Sequence, residues 1–87
     1  MKTIWKFPVH TTDTLPLPAD AKFLSVQIQR DEPVMWFELD LGAKREWRTF
    51  KVFGTGHDFE DGRYLGTWQD EMQGLVWHLY ETTPAGR

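Results

Sequence analysis

A chain of 87 residues with no cysteine and a net charge of −3 has room for one domain. The missing cysteines exclude disulfide staples, zinc ribbons and thiol catalysis. The acidic balance argues against extended nucleic acid as a partner, because gripping it requires phosphate neutralisation.

The opening Met1–Lys6 lacks the apolar run of a signal peptide, and no stretch approaches the ~18 apolar residues of a membrane span. A cytoplasmic protein with no membrane partner is therefore expected. Along the chain, six segments carry strand periodicity. In the first, Thr3–Val9, the residues Trp5, Phe7 and Val9 alternate with Lys6 and Pro8. Residues His10–Lys22, with Pro16 and Pro18, predict a long connection. In Phe23–Gln29, Leu24, Val26 and Ile28 alternate with Ser25, Gln27 and Gln29. Arg30-Asp31-Glu32-Pro33 predicts a hairpin turn. In Val34–Asp40, Met35, Phe37 and Leu39 oppose Val34, Trp36 and Glu38, so a core built on the first set turns Trp36 outward.

Leu41–Glu46 predicts a polar loop or a single helical turn. In the fourth strand, Trp47–Phe53, Arg48 shares a face with Phe50 and Val52. Gly54–Arg63 is a loop rich in Gly and Asp. The fifth strand is Tyr64–Gln69, turned by Asp70–Gly74. The sixth is Leu75–Glu81, with Leu75, Trp77 and Leu79 opposite Val76, His78 and Tyr80. The expected architecture is all-β and mainly antiparallel, a small sandwich or partly open barrel spanning residues 1–81, with a flexible tail at 82–87.

Several stretches are distinctive as a set: Lys2-Thr3-Ile4-Trp5-Lys6-Phe7-Pro8, Ala21–Gln27, Phe53-Gly54-Thr55-Gly56-His57, Tyr64-Leu65-Gly66-Thr67-Trp68-Gln69 and Leu75–Glu81. With them the chain resembles a family of small uncharacterised proteins of phages and prophages. The resemblance covers roughly Lys2–Glu81 and carries no settled activity. It implies a phage accessory protein, cytoplasmic in an infected bacterium, of the kind that serves counter-defence by binding a host protein or sequestering a nucleotide signal.

The candidate chemistry is that of binding. Gly54-Thr55-Gly56-His57 could cradle a phosphate in a nest of backbone amides, helped by the Thr55 hydroxyl and the His57 ring. The competing reading is a Gly-rich exit from a strand, with His57 capping its own loop. The motif is neither a Walker loop nor a dinucleotide fingerprint. Lys44–Lys51 interleaves cations with aromatics, so Arg45 or Arg48 could neutralise phosphate while Trp47 stacks on a base. It also reads as an ordinary strand with a charged outer face. Trp36 and Trp68 are further stacking candidates, and Gly66, two residues before Trp68, would leave space above the sheet for a flat ring; with Tyr64 they could form an exposed aromatic cluster for self-association or partner binding, or belong to a core that uses both faces.

His57-Asp58 with Glu60-Asp61 lacks the spacing of a calcium loop and reads as a solvated turn. The lone serine, Ser25, has no nucleophile motif around it. No enzyme, metal or cofactor is expected. Two functions compete. One is a binder of a nucleotide-like ligand through Gly54, Thr55, Gly56, His57, Arg45, Arg48, Trp36, Trp47 and Trp68. A thin monomer offers little pocket volume, so that site is expected at the interface of a homo-oligomer. The other is an inhibitor or adaptor that covers a host protein's surface.

Overall fold

The computed structural model describes residues 1–82. Its strands are β1 (Lys2–Pro8), β2 (Thr12–Pro18), β3 (Lys22–Gln29), β4 (Glu32–Asp40), β5 (Arg45–Gly54), β6 (Arg63–Asp70) and β7 (Leu75–Thr82). They form a three-stranded sheet in the order β1-β4-β3 and a four-stranded sheet in the order β2-β5-β7-β6, every pair antiparallel. The two sheets pack as a sandwich and do not close into a barrel. The Cα envelope is 15 Å along its shortest axis, the depth of two layers. No helix among the described residues is long and apolar enough to cross a membrane.

The interior follows the period-two pattern. Met35, Phe37 and Leu39 of β4 are buried, and Trp36 lies on the opposite face, half-covered. From the other sheet come Leu17, Phe50 and Leu79, all fully buried. Phe37 is the joint between layers. Its ring meets Phe7 at 6.0 Å and Phe23 at 5.6 Å within its own sheet, and Phe50 of the facing sheet at 5.4 Å, all edge-on. Such pairs add about 0.5–1.5 kcal/mol each beyond area burial.

Three expectations are corrected. The segment His10–Lys22 is not a plain connection, because Thr12–Pro18 pairs with β5. Prolines weigh against a central strand, but β2 is an edge strand, where alternate N–H groups face solvent and a residue without one is tolerated. Leu15 and Leu17 then alternate with Pro16 and Pro18 and reach the core. The second correction concerns β3. A bulge between Phe23 and Ser25 breaks the uniform alternation, so Phe23 and Val26 both pack inward while Leu24 stands 41% exposed. The third is Thr82, which belongs to β7 and not to a tail. The remainder of the expected tail, 83–87, lies outside the described residues.

The β3–β4 hairpin turns on Arg30 and Asp31 alone, with φ of 53° and 66°. Both values are left-handed, as a type I′ turn requires, although neither residue is the usual Asn or Gly.

At Gly66 of β6 the facing sheet comes into close contact. A Cβ there would stand 2.6 Å from Val26 Cγ1, well inside contact distance. The space above Gly66 is therefore filled by Val26 of the facing sheet. Gly66→Ala is expected to cost about 1–3 kcal/mol by overpacking. The same substitution in a Val26→Ala background should cost markedly less, and urea unfolding of the two singles and the double measures the difference.

Candidate functional site

The outer face of the four-stranded sheet gathers most of the exposed chemistry. Phe53 of β5 is directly opposite His78 of β7, and Lys51 is opposite Tyr80. On the other flank Tyr64 and Thr67 of β6 oppose Tyr80 and His78. Directly opposed residues share a face, so these six side chains form one patch.

The loop from Thr55 to Gly62 folds back over that patch. Its lone apolar residue, Phe59, stacks on Phe53 at 4.5 Å with rings 15° apart, and lies 4.7 Å from Tyr80. Tyr64 meets Tyr80 edge-on at 5.6 Å. The loop returns to the sheet through Gly62, whose φ of 155° and close approach to Tyr80 and the Glu81 carbonyl leave little room for a side chain.

A hydrogen-bonded chain fastens the start of the loop. The Thr55 hydroxyl lies 2.9 Å from His78 Nε2, and the Thr67 hydroxyl lies 3.0 Å from His78 Nδ1. Thr67 in turn is 2.7 Å from the Tyr64 hydroxyl. In either neutral tautomer one ring nitrogen of His78 accepts from a threonine and the other donates. The chain ties Thr55, at the start of the loop, to β6 and β7.

Between Trp47 and the loop runs an open groove of about 910 Å³, built within a single copy of the chain. A second copy is thus not needed to make a cleft of ligand size. Trp47 is 63% exposed at one side, and Phe53 and Phe59 form the other. The lining holds five carboxylates (Glu46, Asp58, Glu60, Asp61, Glu81) and three cations (Arg48, Lys51, Arg63). Arg48 and Glu81 neutralise one another, which leaves four acids against two bases.

The expected ligand residues do not converge. The amides of Gly54-Thr55-Gly56-His57 are largely spent: Gly54 N–H donates to His57 Nδ1, Thr55 N–H to the Val76 carbonyl, and His57 N–H to the Gly54 carbonyl. These are the bonds of the self-capping exit. Arg48 is buried beneath the sheet, where Nε and Nη2 donate to the two oxygens of Glu81 at 2.7 and 2.8 Å. Its Nη1 donates to the carbonyls of Pro18 and Ala21. The Glu81 hydrogen bond, ahead of the cost of burial, holds the Arg48 pKa above its ordinary value.

Arg45 lies over the Trp5 ring at 5.3 Å. Trp68 is buried against the core beside Gly66, Trp36 is on the outer face of the other sheet, and only Trp47 is presented at the groove. Missed in the sequence were Phe53, Phe59, Thr67 and Tyr80, while Tyr64 is a member of the aromatic cluster that the sequence offers and His78 reads there as a partly exposed strand histidine. Phe59 alone left a signal, as a single aromatic in an otherwise polar loop. Among the described residues no group of three or more acids and histidines is placed to hold a metal ion.

A domain of unknown function, DUF7352, matches over residues 1–87. The chain belongs to that family. No curated protein and no solved structure matches it.

Two outcomes follow from this geometry. Arg48→Ala should lose about 3–5 kcal/mol in denaturant unfolding, because it strands Glu81 and two carbonyls. Arg48→Lys should recover only part of that, since an ammonium cannot reproduce the fork. By contrast, His78→Phe should change global stability by no more than about 1 kcal/mol. It should raise amide hydrogen exchange in Thr55–Gly62 while leaving β4 protected.

Proposed function

We propose that this protein is a binding module, and that the groove between Trp47 and Phe59 receives a basic, aromatic-bearing segment of a partner protein. The carrying observation is the make-up of that groove: a protruding indole and a stacked aromatic wall beneath an acid-rich rim. Aromatic side chains supply the large contact area typical of interface anchors. The excess of carboxylates favours a cationic partner and steers its approach. Both features suit an inhibitor or adaptor. In the phage setting that the sequence resemblance implies, the partner would be a host protein in the bacterial cytoplasm and the role counter-defence.

Sequestration of a nucleotide-like signal is the weaker reading. The groove is large enough for such a ligand, and Trp47 with Lys51 and Arg63 could meet a base and a phosphate. The acidic rim opposes it, and the buried pairing of Arg48 removes the cation best suited to a bidentate phosphate contact.

Fluorescence anisotropy with labelled peptides separates the readings. A Lys/Arg-rich peptide carrying Trp or Phe should bind with a Kd of about 10–100 µM. Its affinity should fall as salt rises. Trp47→Ala should weaken it about tenfold or more, as loss of an anchor does. Binding of AMP or a cyclic dinucleotide in preference to the peptide would overturn the proposal in favour of sequestration.

A further inference from the structure

A second cavity opens at the end of the sandwich where the β1–β2, β3–β4 and β6–β7 connections meet, and it shares no lining residue with the Trp47 groove. Deeper in the sandwich, Gly66 of β6 is in close contact with Val26 of β3. Two residues further along both strands, Ile28 and Trp68 face a mouth of about 710 Å³, with Trp77 and Val52 in its floor. Ile28 is 44% exposed and Met72, on the β6–β7 turn, 95% exposed. Apolar side chains left open around an apolar hollow mark a binding surface, and methionine adapts its shape to what it covers.

The charge at this mouth is of one sign. Asp31, Asp70 and Glu71 stand on its rim, and neither lysine nor arginine lines it. His10, the remaining ionisable group there, is already engaged, with Nδ1 2.7 Å from Asp13. Indole faces attract cations through their quadrupole, and the attraction grows where water is excluded. A volume of this size suits a small molecule and not a folded partner.

We infer that the mouth formed by Trp68, Trp77 and Ile28 under the Asp31–Asp70–Glu71 rim is a binding site for a small organic cation with an aromatic or branched apolar body. The body sits on the indoles beyond the Gly66–Val26 contact, and the charged head lies among the carboxylates. Neutral apolar molecules gain only the floor, and anions meet the rim as a barrier.

The test is titration of the full chain with benzyltrimethylammonium, followed by NMR of the tryptophan indole N–H resonances, with benzoate as the anionic control. The expected result is saturable shifts of Trp68 and Trp77, with Trp36 and Trp47 unmoved, at a Kd of about 0.1–1 mM. Asp31→Asn with Glu71→Gln should weaken binding about fivefold by removing two rim charges. That pair leaves the fold intact, because asparagine accepts the left-handed backbone at position 31 and Glu71 is exposed. Three results would each overturn the inference: no saturable shift, equal affinity for benzoate, or shifts at Trp47 instead. Because peptide binding is read at Trp47, failure here and failure at the groove are distinguishable.

Discussion

Arg48 occupies a position that a small sandwich would ordinarily give to a leucine. Its guanidinium is fixed by the Glu81 carboxylate on one side and by the carbonyls of Pro18 and Ala21 on the other. Its charged carbon lies 5.8 Å from the ring centroids of both Phe37 and Phe50. One side chain thus ties β5 to β7, anchors the β2–β3 connection, and contacts the phenylalanine pair that joins the two sheets. A buried charge is tolerated only when its donors are satisfied, so each of these elements must keep its place for the others to do so. The same arrangement withdraws from the surface the cation that the sequence offers most plainly for recognition.

The edges of both sheets are closed to strand addition. β2 carries Pro16 and Pro18, β1 carries Pro8 with Lys2 and Lys6, and β3 and β6 are each broken by a bulge. These are the usual means of preventing edge-to-edge pairing. On the proposed reading, recognition falls to faces and open ends. The outer face of the four-stranded sheet supplies the Trp47 groove beside the Phe59 loop, and the end of the sandwich where three connections meet supplies the acid-rimmed mouth. Both are lined by indoles and carboxylates, a combination suited to cationic groups.

Local order in the loop has a clear cause. His78 alone would be an unremarkable strand histidine. Placed between Thr55 and Thr67, it holds the first turn of the loop to the sheet, while Phe59 holds the middle by stacking on Phe53. The wall of the Trp47 groove is in this way held by contacts within the chain, so the proposed partner would meet it at a lower ordering cost.

Much of this was legible in the chain. Strict alternation in Val34–Asp40 identified Met35, Phe37 and Leu39 as core, and Arg48 was correctly placed on the face of Phe50. Such patterns are local, because a strand's two faces are set by its own period of two. Strand β2 was hidden by its prolines, since only an edge position makes them acceptable, and edge or centre is a property of the sheet. Leu24 was misplaced because a bulge is a mismatch between two strands, and one strand does not record it. The fate of Arg48 turned on Glu81, far along the chain, and that of Gly66 on Val26 in the opposite sheet. The sequence by itself determined the all-β class, the core face of β4 and the absence of cysteine chemistry. Only the tertiary structure decided which aromatics and charges meet, because register and cross-sheet contact arise between segments and belong to none of them alone.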